Sequence, residues 1–161
     1  SYQKIFSPET LSDYFKFCFV RNPWDRLLSA YKFLASGGLS EEDKIWKQEV
    51  LSNYPSFESF VKEYIDEKTI WEKDGLRPQH YYVTLPGKSE IEVDFVGRFE
   101  NLQDDFSKVA KELGKDVTLP HKNSTQHNKY EDYYDREMKK KVEALYRKDV
   151  KMFEYKYQNI E

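Results

Sequence analysis

An apolar stretch that stops abruptly at a turn constrains the fold of this chain more than any other feature. Residues 14–20 (YFKFCFV) are mostly aromatic or β-branched with a single charge, which is typical of a strand buried on both faces of a parallel sheet. Asn22 is a favoured N-cap and Pro23 suits the first position of a helix, so we predict a helix from Pro23. Apolar residues then recur at helical spacing as far as Ala35, and two glycines follow. The sequence therefore predicts a strand, a tight turn and a helix.

The same arrangement recurs later in the chain. Residues 93–99 predict a second core strand, and a helix with one apolar face follows from about Asn101 to Gly114. Two strand-helix units with helical material between them are typical of an α/β domain whose strands run parallel. Ligands of such domains bind at the carboxyl ends of the strands, where helix N-termini attract phosphates.

The remaining segments are predicted to be mainly helical. Residues 40–66 indicate two amphipathic helices, whereas residues 69–87 show no clear periodicity, and an irregular segment of this length is often functional. A polar loop is predicted over 118–134. One last helix is predicted after it, with apolar residues Met138, Val142, Leu145, Tyr146 and Phe153.

Length and charge limit the classes of protein to consider. The chain has 161 residues, which fits a single domain over 1–161. Its formal net charge is −3, so we expect no nucleic-acid partner, because that class of ligand requires a broad positive field. The single cysteine, Cys18, lies in an apolar run and is expected to be a buried thiol. We expect neither a membrane span nor a signal peptide within this sequence, and its first residue, Ser rather than Met, fits a start inside a larger domain.

Arg21 and Ser29 are the first candidates for binding an anion. Arg21 lies between the predicted strand and the predicted helix, and a guanidinium forms paired, charge-assisted hydrogen bonds with a phosphate. Ser29 lies about two helical turns further on, where its hydroxyl group could complete the same site. In the alternative interpretation, Arg21 pairs with a carboxylate and Ser29 is a small residue at a helix contact. The spacing alone leaves both interpretations open.

Four segments, in order along the chain, resemble a known family. They are FVRNPWDRLLSAY at 19–31, VDFVGRFENLQDD at 93–105, LPHKN at 119–123 and YRKDVKMFEY at 146–155. Together they resemble the PAPS-dependent sulfotransferases, especially carbohydrate-type and bacterial members. The resemblance implies an α/β, P-loop-like sulfotransferase fold with a central parallel sheet flanked by helices. The first strand and the lysine-containing phosphate loop of that fold have no counterpart in this sequence, so we expect a partial domain.

The resemblance also implies a cofactor and roles for particular residues. PAPS would donate a sulfuryl group to a hydroxyl or amine of a carbohydrate-like or other small acceptor, leaving PAP as the product, and no metal would be required. Arg21 and Ser29 would hold the 3′-phosphate of the nucleotide. A loop that the family brings over the nucleotide supplies four further candidates for binding it, which are Lys122, Asn123, Ser124 and Lys129.

The catalytic base is not identified by the sequence. His80 is a candidate because imidazole titrates near neutral pH, although a structural or solvent-exposed histidine is the alternative. Arg77 and Gln79 beside it, and His80 itself, are candidates for binding the acceptor. Two rival interpretations of the whole chain are a non-catalytic nucleotide- or glycan-binding remnant of the fold and a structural α/β interaction domain. For a bacterial protein we expect a cytoplasmic location, with membrane attachment through upstream residues left open, and the sequence does not indicate an oligomeric state.

Overall fold

The computed structural model of the protein describes residues 13–85, 87–119 and 129–157. These residues form two compact units. One unit lies within Ser1–Val20 and Tyr82–Asn123, and the other within Arg21–Tyr81 and Ser124–Glu161. The expectation of one domain over 1–161 stays a prediction.

The first unit contains a parallel sheet. Strand β1 (Phe17–Val20) pairs in parallel with strand β2 (Phe95–Arg98), and the first residue of one lies opposite the first residue of the other. This pairing confirms the predicted α/β class and the parallel direction of the strands. The prediction that β1 is buried on both faces is wrong, since Phe17 is 41% exposed and Val20 alone in the strand is buried. The sheet of the described residues has only these two strands, and so narrow a sheet leaves part of each face open.

The first helix, α1 (Pro23–Ala35), begins and ends as the sequence predicts. The Asn22 side chain accepts a hydrogen bond from the backbone N–H of Trp24, at 3.1 Å, and caps the helix. Pro23 occupies the first turn, where its missing N–H costs no hydrogen bond. Gly37 follows the C-cap Ser36 with a φ of +101°, a backbone conformation that favours glycine, and the N–H groups of Gly37 and Gly38 donate to the C=O groups of Leu34 and Phe33.

The other helical elements of the described residues are mostly short. In chain order they are α2 (Glu41–Glu49), a 3₁₀ turn (Leu51–Asn53), α3 (Phe57–Ser59) with a π turn (Phe60–Tyr64), a 3₁₀ turn (Thr69–Trp71), α4 (His80–Val83), a 3₁₀ turn (Phe99–Asn101), α5 (Leu102–Glu112), a 3₁₀ turn (Tyr130–Tyr133), α6 (Arg136–Leu145) and α7 (Arg147–Met152). Within the described part of the chain, none of these helices has the length and apolar character that a membrane span requires.

Two sequence expectations about helices need correction. The segment 69–87, expected to be irregular, contains a 3₁₀ turn and α4, which carries His80. The single last helix is in fact two helices, because Tyr146 leaves helical geometry between α6 and α7. Its buried hydroxyl group donates a hydrogen bond to the backbone C=O of Leu76 at 2.6 Å, a tertiary contact that the apolar spacing could not predict.

The hydrophobic core of the second unit fixes α1 against α6. Trp24 is almost fully buried, and its indole N–H donates to the backbone C=O of Lys139 at 3.1 Å. Tyr134 donates from its hydroxyl group to the backbone C=O of Trp24 at 2.7 Å. Phe60 and Met138 lie in the same cluster, and each large apolar side chain buried this fully contributes about 1.5–3 kcal/mol. The start of α1 is therefore held rigidly, which matters for the residue that precedes it.

In the first unit, a carboxylate joins β2 to α5. Asp105, in the first turn of α5, accepts a hydrogen bond from the backbone N–H of Arg98 at 2.7 Å and pairs with Lys108. Hydrogen bonds from Lys108 and from that amide lower the pKa of Asp105 below its ordinary value. The strand-helix unit predicted here is confirmed.

Candidate functional site

Arg21 lies directly after β1 and before the cap of α1. Its Nε donates to Asp25 Oδ2 at 2.7 Å, four residues further along the chain and in the first turn of the helix. Only about a fifth of each side chain of the pair is exposed, slightly more for Asp25. Because a guanidinium is planar, a carboxylate held at Nε sets the direction of the whole group. The structure thus contains the carboxylate pairing that the sequence left open, and this pairing orients Arg21.

The main chain of Arg21 is held by Gln79. The backbone N–H of Arg21 donates to Gln79 Oε1 at 2.8 Å, and Gln79 Nε2 donates to the backbone C=O of Arg21, also at 2.8 Å. Gln79 is only 7% exposed. The Gln79 side-chain amide therefore bonds both the N–H and the C=O of Arg21, as the main chain of a neighbouring β-strand would. This arrangement favours a positioning role for Gln79, and its predicted contact with an acceptor stays a prediction.

Asp149, on α7, anchors the segment that contains Gln79. Its Oδ2 accepts from the backbone N–H of Gln79 at 2.6 Å, and its Oδ1 accepts from the backbone N–H of His80 at 2.9 Å. His80 Nδ1 also lies 2.6 Å from Asp149 Oδ1. Asp149 is 0% exposed. Sequence analysis gave this residue no role, and no spacing rule relates position 149 to positions 79 and 80.

A cavity of about 620 Å³ lies in the second unit. Arg21 and Ser29 both line it, as do Arg26 and Lys73. The structure therefore brings the two residues that the sequence predicted as an anion site into the lining of one cavity, Arg21 from just before the helix cap and Ser29 from α1. It adds two cations that sequence analysis did not single out.

The two additional cations are already engaged by neighbouring groups. Arg26 donates to the backbone C=O of Arg77 at 2.9 Å and to that of Asp74 at 3.0 Å. Lys73 donates to Asp43 Oδ1 at 3.1 Å. The hydrogen bond from Lys73, with others from nearby backbone amides, lowers the pKa of Asp43 to about 2. These cations hold the cavity wall together.

The cavity wall also carries acidic side chains. Besides Asp43, they are Glu42, Glu72 and Asp74. A wall with this many carboxylates opposes the binding of several anionic groups together, because like charges in a confined space repel. An anion in this cavity would therefore need direct contact with one of the cations that line it.

The other predicted site residues lie elsewhere. Arg77 pairs with Asp74 at 2.7 Å and stacks over the ring of Tyr81, 5.4 Å from its centroid. Arg77, Gln79 and His80 are not among the residues that line the cavity. An acceptor-binding role for Arg77 and Gln79 thus stays a prediction, as does a catalytic role for His80.

The predicted nucleotide-covering loop is only partly described. Lys129 is exposed at the start of a 3₁₀ turn and does not line the cavity. Lys122, Asn123 and Ser124 lie outside the described residues. Within the described ranges, no group of three or more His, Cys, Asp or Glu residues is arranged to hold a metal ion. The expectation that no metal is used stays untested.

Comparisons with known proteins identify the family. The model of the sulfotransferase family matches residues 2–156. Carbohydrate sulfotransferase 10 of Mus musculus is 30% identical over 96% of this chain and 51% of its own length, and carbohydrate sulfotransferase 12 of Xenopus laevis is 26% identical over 90% and 41%. An uncharacterized protein of Archaeoglobus fulgidus is 35% identical over 63% of this chain and 68% of its own length.

The matches cover nearly all of this chain but only part of its longer relatives. The chain spans about half the length, or less, of these two carbohydrate sulfotransferases. No solved structure matches it. The family model nevertheless covers nearly the whole chain, including the β1–α1 segment and α7. This chain belongs to the sulfotransferase family.

Proposed function

We propose that this chain supplies the 3′-phosphate site of an enzyme that transfers a sulfuryl group from PAPS to a hydroxyl or amine of a carbohydrate-like or other small acceptor. Membership of the family and the names of the two relatives support sulfuryl transfer and a glycan acceptor. The observation that carries the assignment of the site is that Arg21 and Ser29 line the same cavity.

The residues present fit one phosphate group of the nucleotide. Arg21 supplies the positive charge, Asp25 fixes the direction of its guanidinium, and Ser29 offers a hydroxyl donor. The acidic side chains on the same wall would repel the 5′-phosphosulfate, so we assign only the 3′-phosphate to this cavity. When bound, PAPS supplies the activated sulfuryl group. The chain's own residues bind and orient the donor at a point remote from the bond that breaks.

Binding of the donor at a group remote from the reaction contributes to catalysis by positioning the reacting group. Energy gained at a group that does not react can hold the reacting centre in line with its acceptor. Because Arg21 is fixed at both its side chain and its main chain, little of that energy is lost in ordering the site after the ligand arrives.

His80 is our candidate for the base that takes the proton of the acceptor. Its Nδ1 lies against the buried carboxylate of Asp149, an arrangement that fixes ring orientation and favours the Nδ1–H tautomer. Geometry of this type is typical of histidines that accept protons at Nε2.

Isothermal titration calorimetry of the full-length protein with PAP tests the donor site. Arg21→Ala should weaken PAP binding by about 10- to 150-fold, the loss of a charged hydrogen bond worth ~1.5–3 kcal/mol. Ser29→Ala should weaken it by about 2- to 10-fold, the loss of a neutral hydrogen bond. Neither variant should change the binding of adenosine 5′-monophosphate, which has no 3′-phosphate.

The matched control is Arg136→Ala, which removes an exposed arginine at the start of α6 and should bind PAP as the wild type does. A folded full-length protein that does not bind PAP would refute the donor site, as would an Arg21→Ala variant with unchanged affinity. Binding of PAP without sulfuryl transfer to any glycan acceptor would support the non-catalytic alternative.

A further inference from the structure

The second unit buries a carboxylate that does not line the cavity of the proposed anion site. Asp149 is fully buried, and removing a charge from water costs several kcal/mol unless hydrogen bonds compensate. The compensating donors include the backbone N–H groups of Gln79 and His80, at 2.6 and 2.9 Å. All of this compensation is directed at one short segment of chain. The carboxylate therefore fixes where that segment lies.

Gln79 transmits this position to Arg21. Its backbone N–H is bound by Asp149, while its side-chain amide holds both the N–H and the C=O of Arg21 at 2.8 Å. Gln79 and Arg21 are 58 positions apart in the sequence, and Gln79 and Asp149 are 70 apart. Three distant parts of the chain thus meet in one continuous series of hydrogen bonds. The series ends at the main chain of the residue that carries the guanidinium.

The position of that main chain determines where the guanidinium can reach. Asp25 sets the direction of the Arg21 side chain, but it cannot set the place from which the side chain starts. The backbone of Arg21 follows β1 and precedes the helix cap, so it has no helical hydrogen bonds to hold it. A displacement of about 1 Å at such a point is enough to weaken a paired contact with phosphate substantially.

We propose that Gln79 and Asp149 are positioning residues of the donor site: Asp149 fixes Gln79, and Gln79 fixes the Arg21 backbone so that its guanidinium meets the 3′-phosphate. This inference rests on the proposed function. Neither residue touches the nucleotide in this scheme. On PAP binding both residues act through Arg21, so their effect on it depends on the presence of the Arg21 guanidinium.

That dependence provides the test, by calorimetry with PAP on the full-length protein. Gln79→Leu removes both hydrogen bonds to Arg21 at similar volume, and Asp149→Asn puts an amide where two N–H donors need acceptors. Each should weaken PAP binding about tenfold, a typical coupling between residues of one network. In the double variant of Arg21→Ala with Gln79→Leu, PAP binding should be no weaker than in Arg21→Ala alone.

Tyr146→Phe is the structural control. It removes a buried hydrogen bond of the same unit, from the Tyr146 hydroxyl to the backbone C=O of Leu76, and does not touch Arg21. Stability measured by urea unfolding should fall in this variant, whereas its PAP affinity should match that of the wild type. If the leucine variant does not fold, Gln79→Glu replaces it, since it keeps an acceptor for the Arg21 N–H and loses only the donor to the Arg21 C=O.

The outcomes separate this inference from the proposed function. Unchanged PAP affinity in Arg21→Ala overturns the donor site itself. A loss in Arg21→Ala without a loss in Gln79→Leu or its glutamate replacement overturns only the positioning role. The positioning role is also overturned if the losses of Arg21→Ala and Gln79→Leu add in the double variant, or if Tyr146→Phe weakens PAP binding as much as Gln79→Leu does.

Discussion

Asn22 makes two kinds of hydrogen bond at the start of α1, one through the oxygen and one through the nitrogen of its side-chain amide. Substitutions can therefore remove one kind and keep the other. Its Oδ1 caps the helix through the backbone N–H of Trp24, at 3.1 Å. Its Nδ2 donates to the backbone C=O of Lys156 at 3.1 Å and to the hydroxyl group of Tyr130 at 3.4 Å. The residue is 4% exposed, so water cannot readily replace its cap to Trp24, whereas Lys156 on the other side is exposed. Asn22→Ala removes both kinds, and Asn22→Asp keeps the cap while removing the amide donor.

The contacts of Asn22 in the structure allow the loss of stability in each variant to be estimated. Losing an N-cap costs about 1 kcal/mol, within a range of about 0.5–2. Losing the part-buried hydrogen bond from Asn22 to the C=O of Lys156 costs about 0.5–1.5 kcal/mol. Asn22→Ala should therefore lower the free energy of unfolding by about 1–3 kcal/mol. Asn22→Asp should lower it by at least the second amount, since its carboxylate would face that carbonyl oxygen.

Urea unfolding followed by circular dichroism measures these differences. Ser40→Ala is the matched control, because Ser40 is an exposed N-cap that accepts from the backbone N–H of Asp43 and has no second task of this kind. It should cost only about 1 kcal/mol. Equal losses in Asn22→Ala and Ser40→Ala, or an Asn22→Asp variant as stable as the wild type, would show that the contact with Lys156 contributes nothing.

Three further predictions concern the first unit. Gly97→Ala should destabilise it by about 1–3 kcal/mol in urea unfolding, because a Cβ there falls 2.5 Å from the ring of Phe19. Cys18, expected to be buried, is half-buried. Its partial burial still raises the pKa of the thiol from 9.0 to about 11, so at pH 8 iodoacetamide should alkylate it about tenfold more slowly in the folded protein than in the unfolded chain. The stability that ionised Asp105 gains from Lys108 is complete above the unfolded carboxyl pKa of 3.8 and is lost as pH falls through the lower folded value. The stability deficit of Asp105→Asn relative to wild type should accordingly shrink below about pH 4.

Each of these predictions has its own control. Gly75→Ala should be nearly neutral, since its new Cβ would meet only the Ala30 side chain at 3.5 Å; equal costs at Gly75 and Gly97 would contradict the argument. Equal alkylation rates in folded and urea-unfolded protein would contradict the partial burial of Cys18. Asp104→Asn removes an exposed carboxylate from the same helical turn as Asp105, and a pH profile identical to that of Asp105→Asn would refute the special position of Asp105.

Local signals in the sequence predicted the elements around the site well. Asn22 and Pro23 act within one turn of each other, so the start of α1 could be predicted from adjacent residues. The location of Arg21 and Ser29 in the lining of one cavity could be predicted for the same reason, since Arg21 lies just before α1 and Ser29 lies within that helix. Parallel pairing of β1 with β2 followed from the repeated order of strand and helix.

Tertiary contacts account for what the sequence could not show. Nothing near Gln79 indicates that its amide binds the main chain of Arg21, and nothing near Asp149 indicates that it is buried against Gln79. The break between α6 and α7 at Tyr146 also has a distant partner, because the Tyr146 hydroxyl group donates a hydrogen bond to the backbone C=O of Leu76. Exposure of Phe17 depends on how many strands flank it, a number that the pattern within one strand does not contain.

The buried carboxylate of Asp149 affects when the Arg21 segment becomes fixed during synthesis of the protein. During synthesis Arg21 leaves the ribosome first, Gln79 follows and the α7 segment comes later still. Contacts that close such long stretches form late in folding, after the local helices. Before residue 149 has emerged, Asp149 cannot yet fix Gln79, so the main chain of Arg21 is held less firmly. The proposed donor site is therefore complete only after the α7 segment has been made.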